Sequence, residues 1–582
     1  MSAAPGAGPV RPAGPAGSAG TFNAADYLVG RQVREGNGGA TAVISPSRTL
    51  SYAGLAAEVR TVAAGLAALG VRPEERVLMC MADEAELFTA ILAAMHLGAV
   101  AVPCSTMLTG AELAALIADS RTRVVLCSGE FAGTVRAAVA VAPDVRHVVT
   151  AGPAGAGGHG GQDAAGLPPG ITAHGWDELL GAGEAAEPYP SWPDSPALWL
   201  YTSGTTGTPK AAMHRHDDIR LVAENYAQRV LGVTASDRCL SVAKLFFAYG
   251  IGNSMFFPLS VGGTALLEPG RPTPALFAER AAIDRATLLF GTPSFWGPLL
   301  ASDVPDDAFA TVRQGISAGE ALPPRMFHGM RERFRVEVLD GIGSTEMLHI
   351  YISNRPGRVH PGSSGTPVPG YDVEIRDEHG AVVEGCGQPG ELYVRGESAA
   401  TGYWCRASTS RKVFIGEWMR TGDSYVRNED GTYTCLGRYN DLIKAGGIWV
   451  TPAEVEDRLL AHPSVAEAAV VGVPDADGLD TPVACVVPAP GCHADAGTLI
   501  KWCREGLAAF KRPRAVIEMS ELPKTATGKI RRNVLRETAR AVLARGDDPP
   551  EPPEIPLRFP PYTGHSPGLT ARARWAGKRL PP

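Results

Sequence analysis

The stretch from Tyr201 to Lys210, YTSGTTGTPK, holds residue types that together could do chemistry on a polyphosphate. Gly204 and Gly207 free the backbone, Thr202, Ser203, Thr205 and Thr206 supply hydroxyls, and Lys210 supplies an ammonium. A loop of this composition turns N–H and O–H donors and one positive charge toward a phosphate chain. It is not a Walker loop, which needs G-x-x-x-x-G-K-[ST], because Thr208 and Pro209 separate Gly207 from Lys210. Taken alone, a Gly/Thr-rich segment is explained equally well as a polar surface turn.

Further stretches follow in chain order. These are KLFFAYGIG (Lys244 to Gly252), GISAGEALP (Gly315 to Pro323), DGIGSTEMLH (Asp340 to His349), GELYVRG (Gly390 to Gly396), WMRTGD (Trp418 to Asp423), GRYNDLIKAGGIWVTPAEVE (Gly437 to Glu456) and LPKTATGKIRR (Leu522 to Arg532). Each has an ordinary structural explanation by itself: an aromatic core segment, a helix cap at Ser344, a turn aspartate after Gly422, a basic loop. Lysine usage adds a hint. Nine lysines stand among 54 basic residues, and Lys210, Lys244, Lys444, Lys524 and Lys529 all fall in these stretches, where an ammonium rather than a guanidinium would be required.

The full set, in this order, resembles the adenylate-forming superfamily of acyl- and aryl-CoA synthetases, carrier-protein adenylation domains and luciferases. KLFFAYGIG and the run from Asp340 to Asn354 are most similar to the benzoate-CoA ligase branch. The resemblance covers about residues 23 to 540. It implies that Thr202 to Gly207 and Lys210 cradle the phosphates of ATP, that Gly319, Glu320 and Ala321 face the adenine along with Asp340 and Gly341, and that Asp423 and Arg438 hold the ribose. Thr345 would bind the α-phosphate and Glu346 a Mg²⁺, an ion suited to one or two carboxylates plus phosphate oxygens. Lys529 would aim its charge at the phosphorus during adenylation, where negative charge accumulates.

Phe247, Ala248, Tyr249, Gly341, Ile342, His349 and Ile350 are expected around the acid, and the large rings of Phe247 and Tyr249 suit a short, flat aryl acid. His349 is equally readable as an ordinary packed histidine. The hinge position falls on Asn440, where the family usually has Asp or Lys. Lys444, Gly446 and Gly447 would line the path of a pantetheine arm, the glycines because a side chain would obstruct it. Ala211 replaces a common glycine after the cradle lysine.

The elements that must position these residues can be read from periodicity. Ala197 to Leu200 predicts a buried strand feeding the cradle. Ser51 predicts a helix cap before the helical spacing of Leu55, Val59, Val62 and Leu66. Val77 to Met81, Ala99 to Val102 and Arg123 to Cys127 predict strands, with a helix over Glu84 to Leu97. A helix is expected from His216 to about Leu231. Thr451-Pro452-Ala453-Glu454 is a capping box, strands are expected at Ala468 to Val473 and Val483 to Val487, and a helix from Thr498 to Phe510.

These features predict an α/β chain: a disordered segment 1–22, a large multi-layered domain 23–438 with parallel-sheet subdomains, a small mobile α+β domain 439–540, and a proline-rich tail 541–582. The Gly-rich interval Ala151 to Gly170 reads as a loop insertion. A net charge of −7 gives no reason to expect nucleic acid as a partner. Ten scattered cysteines without C-x-x-C pairs fit reduced thiols in the cytoplasm, and no apolar run is long enough to cross a membrane.

The expected activity is ATP-dependent ligation of an aryl acid to coenzyme A through an acyl-adenylate. Three alternatives stay open: loading of a carrier protein's phosphopantetheine, a diazotase using nitrite and an aromatic amine, and a nucleotide-binding pseudoenzyme.

Overall fold

The computed structural model describes residues 20–152, 166–181, 186–203, 209–438, 441, 443–445, 448–474, 480–508, 511–524 and 530–545. Residues 1–19 of the segment expected to be disordered, 546–582 of the expected tail and 153–165 of the Gly-rich interval lie outside them, whereas residues 541–545, expected in the tail, end the helix Arg532–Arg545. The chain divides into two compact units, Met1–Ala453 and Glu454–Pro582.

The first unit is organised by two large sheets. One has strand order Thr172–Gly175, His147–Ala151, Val124–Ser128, Arg76–Cys80, Val100–Pro103, Pro196–Ser203 and Pro209–Arg215. All neighbours run parallel except the last two, which form an antiparallel hairpin. The other has the order Thr366–Pro367, Ile350–Ser353, Val338–Gly343, Gln314–Ser317, Leu288–Gly291, Arg238–Ser241, Thr264–Leu266, Thr41–Ile44 and Thr49–Ser51. Its interior, from Val338–Gly343 to Thr41–Ile44, is parallel.

Parallel strands carry helices on both faces, which is why their sequences are apolar without alternation. Arg76–Cys80 illustrates this. Val77 and Met79 join the core that holds Leu55 and Val59 of helix Tyr52–Ala68 and Phe88 and Ile91 of helix Ala85–His96. Leu78 and Cys80 face Leu113 and Ile117 of helix Gly110–Ser120 on the other side. Ser51 caps the first of these helices, its Oγ accepting the Gly54 N–H at 3.1 Å. A third, antiparallel sheet contains Tyr371–Arg376, Gly390–Gly396, Trp418–Arg427, Phe414–Ile415 and Tyr433–Arg438.

Two boundaries differ from the sequence reading. The single helix expected from His216 is α-helical only over His216–Val222 and continues as a π-helical segment, Ala223–Gln228, in which the Tyr226 hydroxyl meets Ser353 Oγ at 3.3 Å. The helix expected to reach Phe510 ends at Gly506, with Leu507 already extended; the periodicity runs past the point where the backbone leaves the helix.

In the second unit, Val465–Pro474 pairs antiparallel with Asp480–Pro488, which pairs parallel with Ala515–Glu518. Helix Arg532–Arg545 packs on this sheet through Leu535, Ala539 and Val542. Among the described residues no helix is long and apolar enough to cross a membrane.

A buried histidine ties the start of the described chain to the first unit. His216 Nδ1 accepts the Ala24 N–H at 3.0 Å, so the ring must be neutral, and burial lowers its pKa from 6.5 to about 4. A folded-state pKa below the unfolded one means the unfolded chain takes up the proton first. The stabilisation is complete above about pH 6.5 and is lost as pH falls toward 4, a loss on the order of 3 kcal/mol. Thermal melts are therefore expected to drop increasingly below pH 6.5. His216→Leu should be less stable at pH 7.5, since the Ala24 N–H loses its acceptor, but should show a flatter pH dependence. Equal slopes for both proteins would contradict this account.

Candidate active site

The cradle residues flank the hairpin of Pro196–Ser203 and Pro209–Arg215, where Thr202 pairs with Lys210. Gly204, Thr205, Thr206 and Gly207 lie outside the described residues, as do Asn440, Gly446, Gly447 and Lys529. Lys444 is on the short strand Ile443–Ala445.

What the structure gathers around Lys210 comes from three distant segments. Its Nζ sits 4.3 Å from the centroid of the Tyr403 ring. The Tyr403 hydroxyl in turn donates to Glu346 Oε1 at 2.5 Å. Burial lowers the Lys210 pKa and the Arg438 charge adds to this, while Glu346 opposes it, so the three charges share one electrostatic neighbourhood. Tyr403 is held by backbone pairing: Tyr403 bridges Ala212, the Trp404 N–H donates to Ala211 O at 3.0 Å, and the Thr401 N–H donates to Met213 O at 2.9 Å. Residues 401–404 thus extend the hairpin that carries Lys210. Burial, reinforced by Glu346, keeps the Tyr403 phenol protonated by raising its pKa.

Thr345 and Glu346 belong to a single 3₁₀ turn, Thr345–Met347, capped by Ser344, whose Oγ accepts the Met347 N–H at 3.3 Å. The helix-cap explanation of this triplet is therefore correct, and it leaves the Thr345 and Glu346 side chains available. The turn is fastened from outside. His214 Nε2 lies 2.7 Å from the Thr345 carbonyl oxygen and its Nδ1 lies 3.1 Å from Asp218 Oδ2, while the Ala400 N–H donates to Glu346 O at 2.8 Å. Directly after it, Leu348 adopts φ 67°, a left-handed conformation that costs a non-glycine residue energy and marks a place where geometry is imposed.

Asp423 and Arg438 face each other across neighbouring strands, with Arg438 Nε 3.2 Å from Asp423 Oδ1. Asp423 is not in a turn: Gly422, with φ +75°, and Asp423 both lie within strand Trp418–Arg427. Arg438 also donates to Thr421 O at 3.0 Å, and the neighbouring Asp423 raises its pKa, with Tyr351 and Glu346 contributing in the same direction. Gly319, Glu320 and Ala321 are exposed at the carboxyl end of strand Gln314–Ser317, whose Ser317 pairs with Asp340. Asp340 is buried, which pushes its carboxyl pKa well up against the pull of the Leu322 and Gly341 N–H groups.

The expected acid-pocket residues divide. Tyr249 and His349 come together, ring centroids 5.6 Å apart, in an aromatic box completed by Tyr226 at 5.5 Å and Phe257 at 4.5 Å from the histidine. The Tyr249 hydroxyl is anchored near the carbonyls of Ile316 at 3.0 Å and Gly291 at 3.2 Å. His349 packs its Nε2 3.1 Å from Asn253 Oδ1, and burial lowers its pKa to about 3, so the ring is neutral. His349 is a packed histidine, with Tyr249 of the expected acid-pocket residues among its ring neighbours.

A Cβ on Gly252 would stand 2.3 Å from the His349 ring, and one on Gly341 would stand 2.9 Å from Ile352 O and 3.1 Å from Ile350 Cγ2. Ile342 and Ile350 lie on the adjoining antiparallel strands Val338–Gly343 and Ile350–Ser353. Ala248 starts the short helix Ala248–Ile251, and the Phe247 ring packs on Phe246, 4.6 Å between centroids. Ser317 Oγ, Asp340 Oδ1, His349 Nδ1 and Tyr351 Oη are buried without hydrogen-bond partners. Ser317 and Asp340 are register partners and Tyr351 lies on the next strand, while other such atoms occur elsewhere in the first unit.

Sequence reasoning missed Tyr403 and His214, because their roles exist only through pairings across 57 and 131 residues. As for a metal, Glu346 offers a single oriented carboxylate close to cationic side chains, a donor set that fits Mg²⁺ shared with phosphate oxygens rather than an all-protein cage.

Comparison with known proteins identifies relatives of the chain. The family described as AMP-binding enzyme matches residues 30–404, and that described as AMP-binding enzyme C-terminal domain matches residues 454–529. A benzoate–CoA ligase of Thauera aromatica is 42% identical over 521 residues, 88% of this chain and 96% of that protein. The crystal structure of a benzoate CoA ligase from Burkholderia xenovorans LB400 superposes with a TM-score of 0.79 at 39% identity, covering 88% of this chain and all of that one. The crystal structure of the anthranilate CoA ligase AuaEII with anthranoyl-AMP superposes with a TM-score of 0.82 at 36% identity, covering 90% and 98%.

Proposed function

The chain belongs to the AMP-binding enzyme family, and from that premise we propose that it is an ATP-dependent ligase joining a benzoate-like acid to coenzyme A. The observation that carries the reading is the gathering of Lys210, Glu346 and Arg438 around Tyr403, with Asp423 paired to Arg438 and Glu346 only three residues from His349 of the aromatic box. Phosphate handling and ring binding are thereby joined through one turn. The benzoate and anthranilate ligases named above act on acids of this class.

The reaction is assigned two steps. An oxygen of the aryl carboxylate attacks the α-phosphorus of ATP, the bond to pyrophosphate breaks, and an acyl-adenylate remains. The sulfur of coenzyme A then attacks the acyl carbon, AMP leaves, and the thiol proton passes to solvent. Lys210 and the hydroxyls of the cradle bind the phosphates. Asp423 and Arg438 hold the ribose, the carboxylate accepting from its hydroxyls. Glu346 would hold Mg²⁺, which when bound offsets phosphate charge, and Tyr403 fixes the carboxylate that does so. Thr345 binds the α-phosphate. Tyr249, Ile342, His349 and Ile350 are assigned to the acid ring. Lys529 is assigned to the first step alone, where a fixed cation offsets the charge gathering on phosphorus, and Gly446 and Gly447 to the passage of the thiol arm.

The deciding measurement is release of AMP and pyrophosphate against benzoic, hydroxybenzoic, aminobenzoic and cinnamic acids, with and without coenzyme A, and against nitrite with an aromatic amine. Aryl-CoA formation is expected; AMP release with nitrite and amine only would replace this reading with a diazotase. Lys529→Ala is expected to lose adenylation by about 10²–10³-fold while still converting a supplied acyl-adenylate to thioester, and equal loss in both half-reactions would overturn its assignment. Tyr403→Phe is expected to raise the KM for Mg·ATP about tenfold, the worth of one hydrogen bond to a charged group, with the KM for the acid unchanged.

A further inference from the structure

We infer that Asp83 is a positioning residue for the aryl-acid pocket: its buried carboxylate, on one large sheet, anchors the turn on the other sheet that carries Phe247, Ala248 and Tyr249. The inference rests on the assignment of those residues to the acid.

Asp83 follows strand Arg76–Cys80 and precedes helix Ala85–His96, at the carboxyl end of its parallel sheet. It is 5% exposed. Its Oδ2 accepts the Leu245 N–H at 3.0 Å, across 162 residues of chain, and its Oδ1 has no partner. Leu245 lies in the turn that leaves the carboxyl end of strand Arg238–Ser241, so the bond joins the two sheets at the edges where their loops form the site.

The turn is tightly built. The Phe247 N–H donates to Lys244 O at 3.0 Å, and a Cβ on Gly250 would stand 2.0 Å from that same oxygen. Lys244 holds the other side, its ammonium donating to the carbonyl oxygens of Glu268 and of Gly270, the latter at 2.8 Å. Burial raises the Asp83 pKa to about 7 and lowers that of Lys244, and each residue opposes this by favouring the other's charged form. Two residues past Leu245 stands Phe247 and four past it Tyr249, whose hydroxyl is fixed at its far end by Ile316 and Gly291. A backbone pinned at Leu245 and a ring pinned at its hydroxyl leave the wall between them no freedom to drift.

Stability alone is a poor reason for this carboxylate. An amide would accept the same N–H, and a buried charge with one oxygen unpartnered costs more than it returns. In its ionised form, which the neighbouring Lys244 favours, the group is a stiffer anchor than an amide, since a charge-assisted bond is about twice as strong as a neutral one.

The test is steady-state kinetics of Asp83→Ala and Asp83→Asn with an aryl acid the unaltered enzyme accepts, with thermal melts as a folding control. Asp83→Ala is expected to raise the KM for the acid about tenfold while KM for ATP and kcat stay within twofold or so. Asp83→Asn, whose amide oxygen can accept the Leu245 N–H, is expected to recover most of that loss.

An unchanged acid KM in Asp83→Ala, a parallel rise in the KM for ATP, or no recovery in Asp83→Asn would each overturn the inference. Should Asp83→Ala not fold, Lys244→Met reads the same turn from its other anchor: an acid-specific rise in KM supports the inference, and an unchanged one overturns it. An enzyme that activates no aryl acid at all would instead remove the functional reading on which this rests.

Discussion

Several opposite charges are held close together around the side chain of Tyr403, the arrangement proposed above to handle a polyphosphate. Lys210 and Glu346 both contact Tyr403. The phenol between them gives the carboxylate a hydrogen bond and the ammonium a ring face, so each has a partner that is not the other. The remainder of the site depends on this spacing. Arg438 is occupied by Asp423 across a strand pair, and the turn bearing Glu346 is fixed from outside by His214 and by the backbone of Ala400.

The surroundings show what maintaining such a site costs. Leu348 adopts a left-handed backbone conformation, and Ser317, Asp340, His349 and Tyr351 each keep a buried polar atom without a partner. Well-packed helices between two parallel sheets offset these costs. The middle of the sheets, as in Val77, Met79 and Phe290, is conventionally apolar.

Local signals in the sequence were a good guide to the elements. Ser51, the apolar strands and the glycine-flanked motifs act over a few residues, so their consequences can be read in one dimension. The gathering of motifs was legible only through their order, which carried the resemblance. Tyr403, His214 and Asp83 were not legible, because a tyrosine after glycine, a histidine on a strand and an aspartate before a helix have no distinguishing neighbours. Their roles come from partners 57 to 162 residues away. The overrun at Gly506 and the π-helical stretch at Ala223–Gln228 have the opposite cause: periodicity persists where backbone geometry changes.

The backbone pairing of Ala212 with Tyr403 also bears on how the chain acquires its site. Closing a loop of nearly two hundred residues is slow compared with forming a helix or a neighbouring strand pair. During synthesis, the sheet containing Arg76–Cys80 and its helices has left the ribosome long before residue 403 exists. The nascent protein can therefore hold a substantial buried core while Lys210 and Glu346 still lack the tyrosine that separates them. An interrupted chain would be folded in large part and catalytically unfinished, which makes the appearance of nucleotide affinity a late marker of maturation rather than a measure of how much structure has formed.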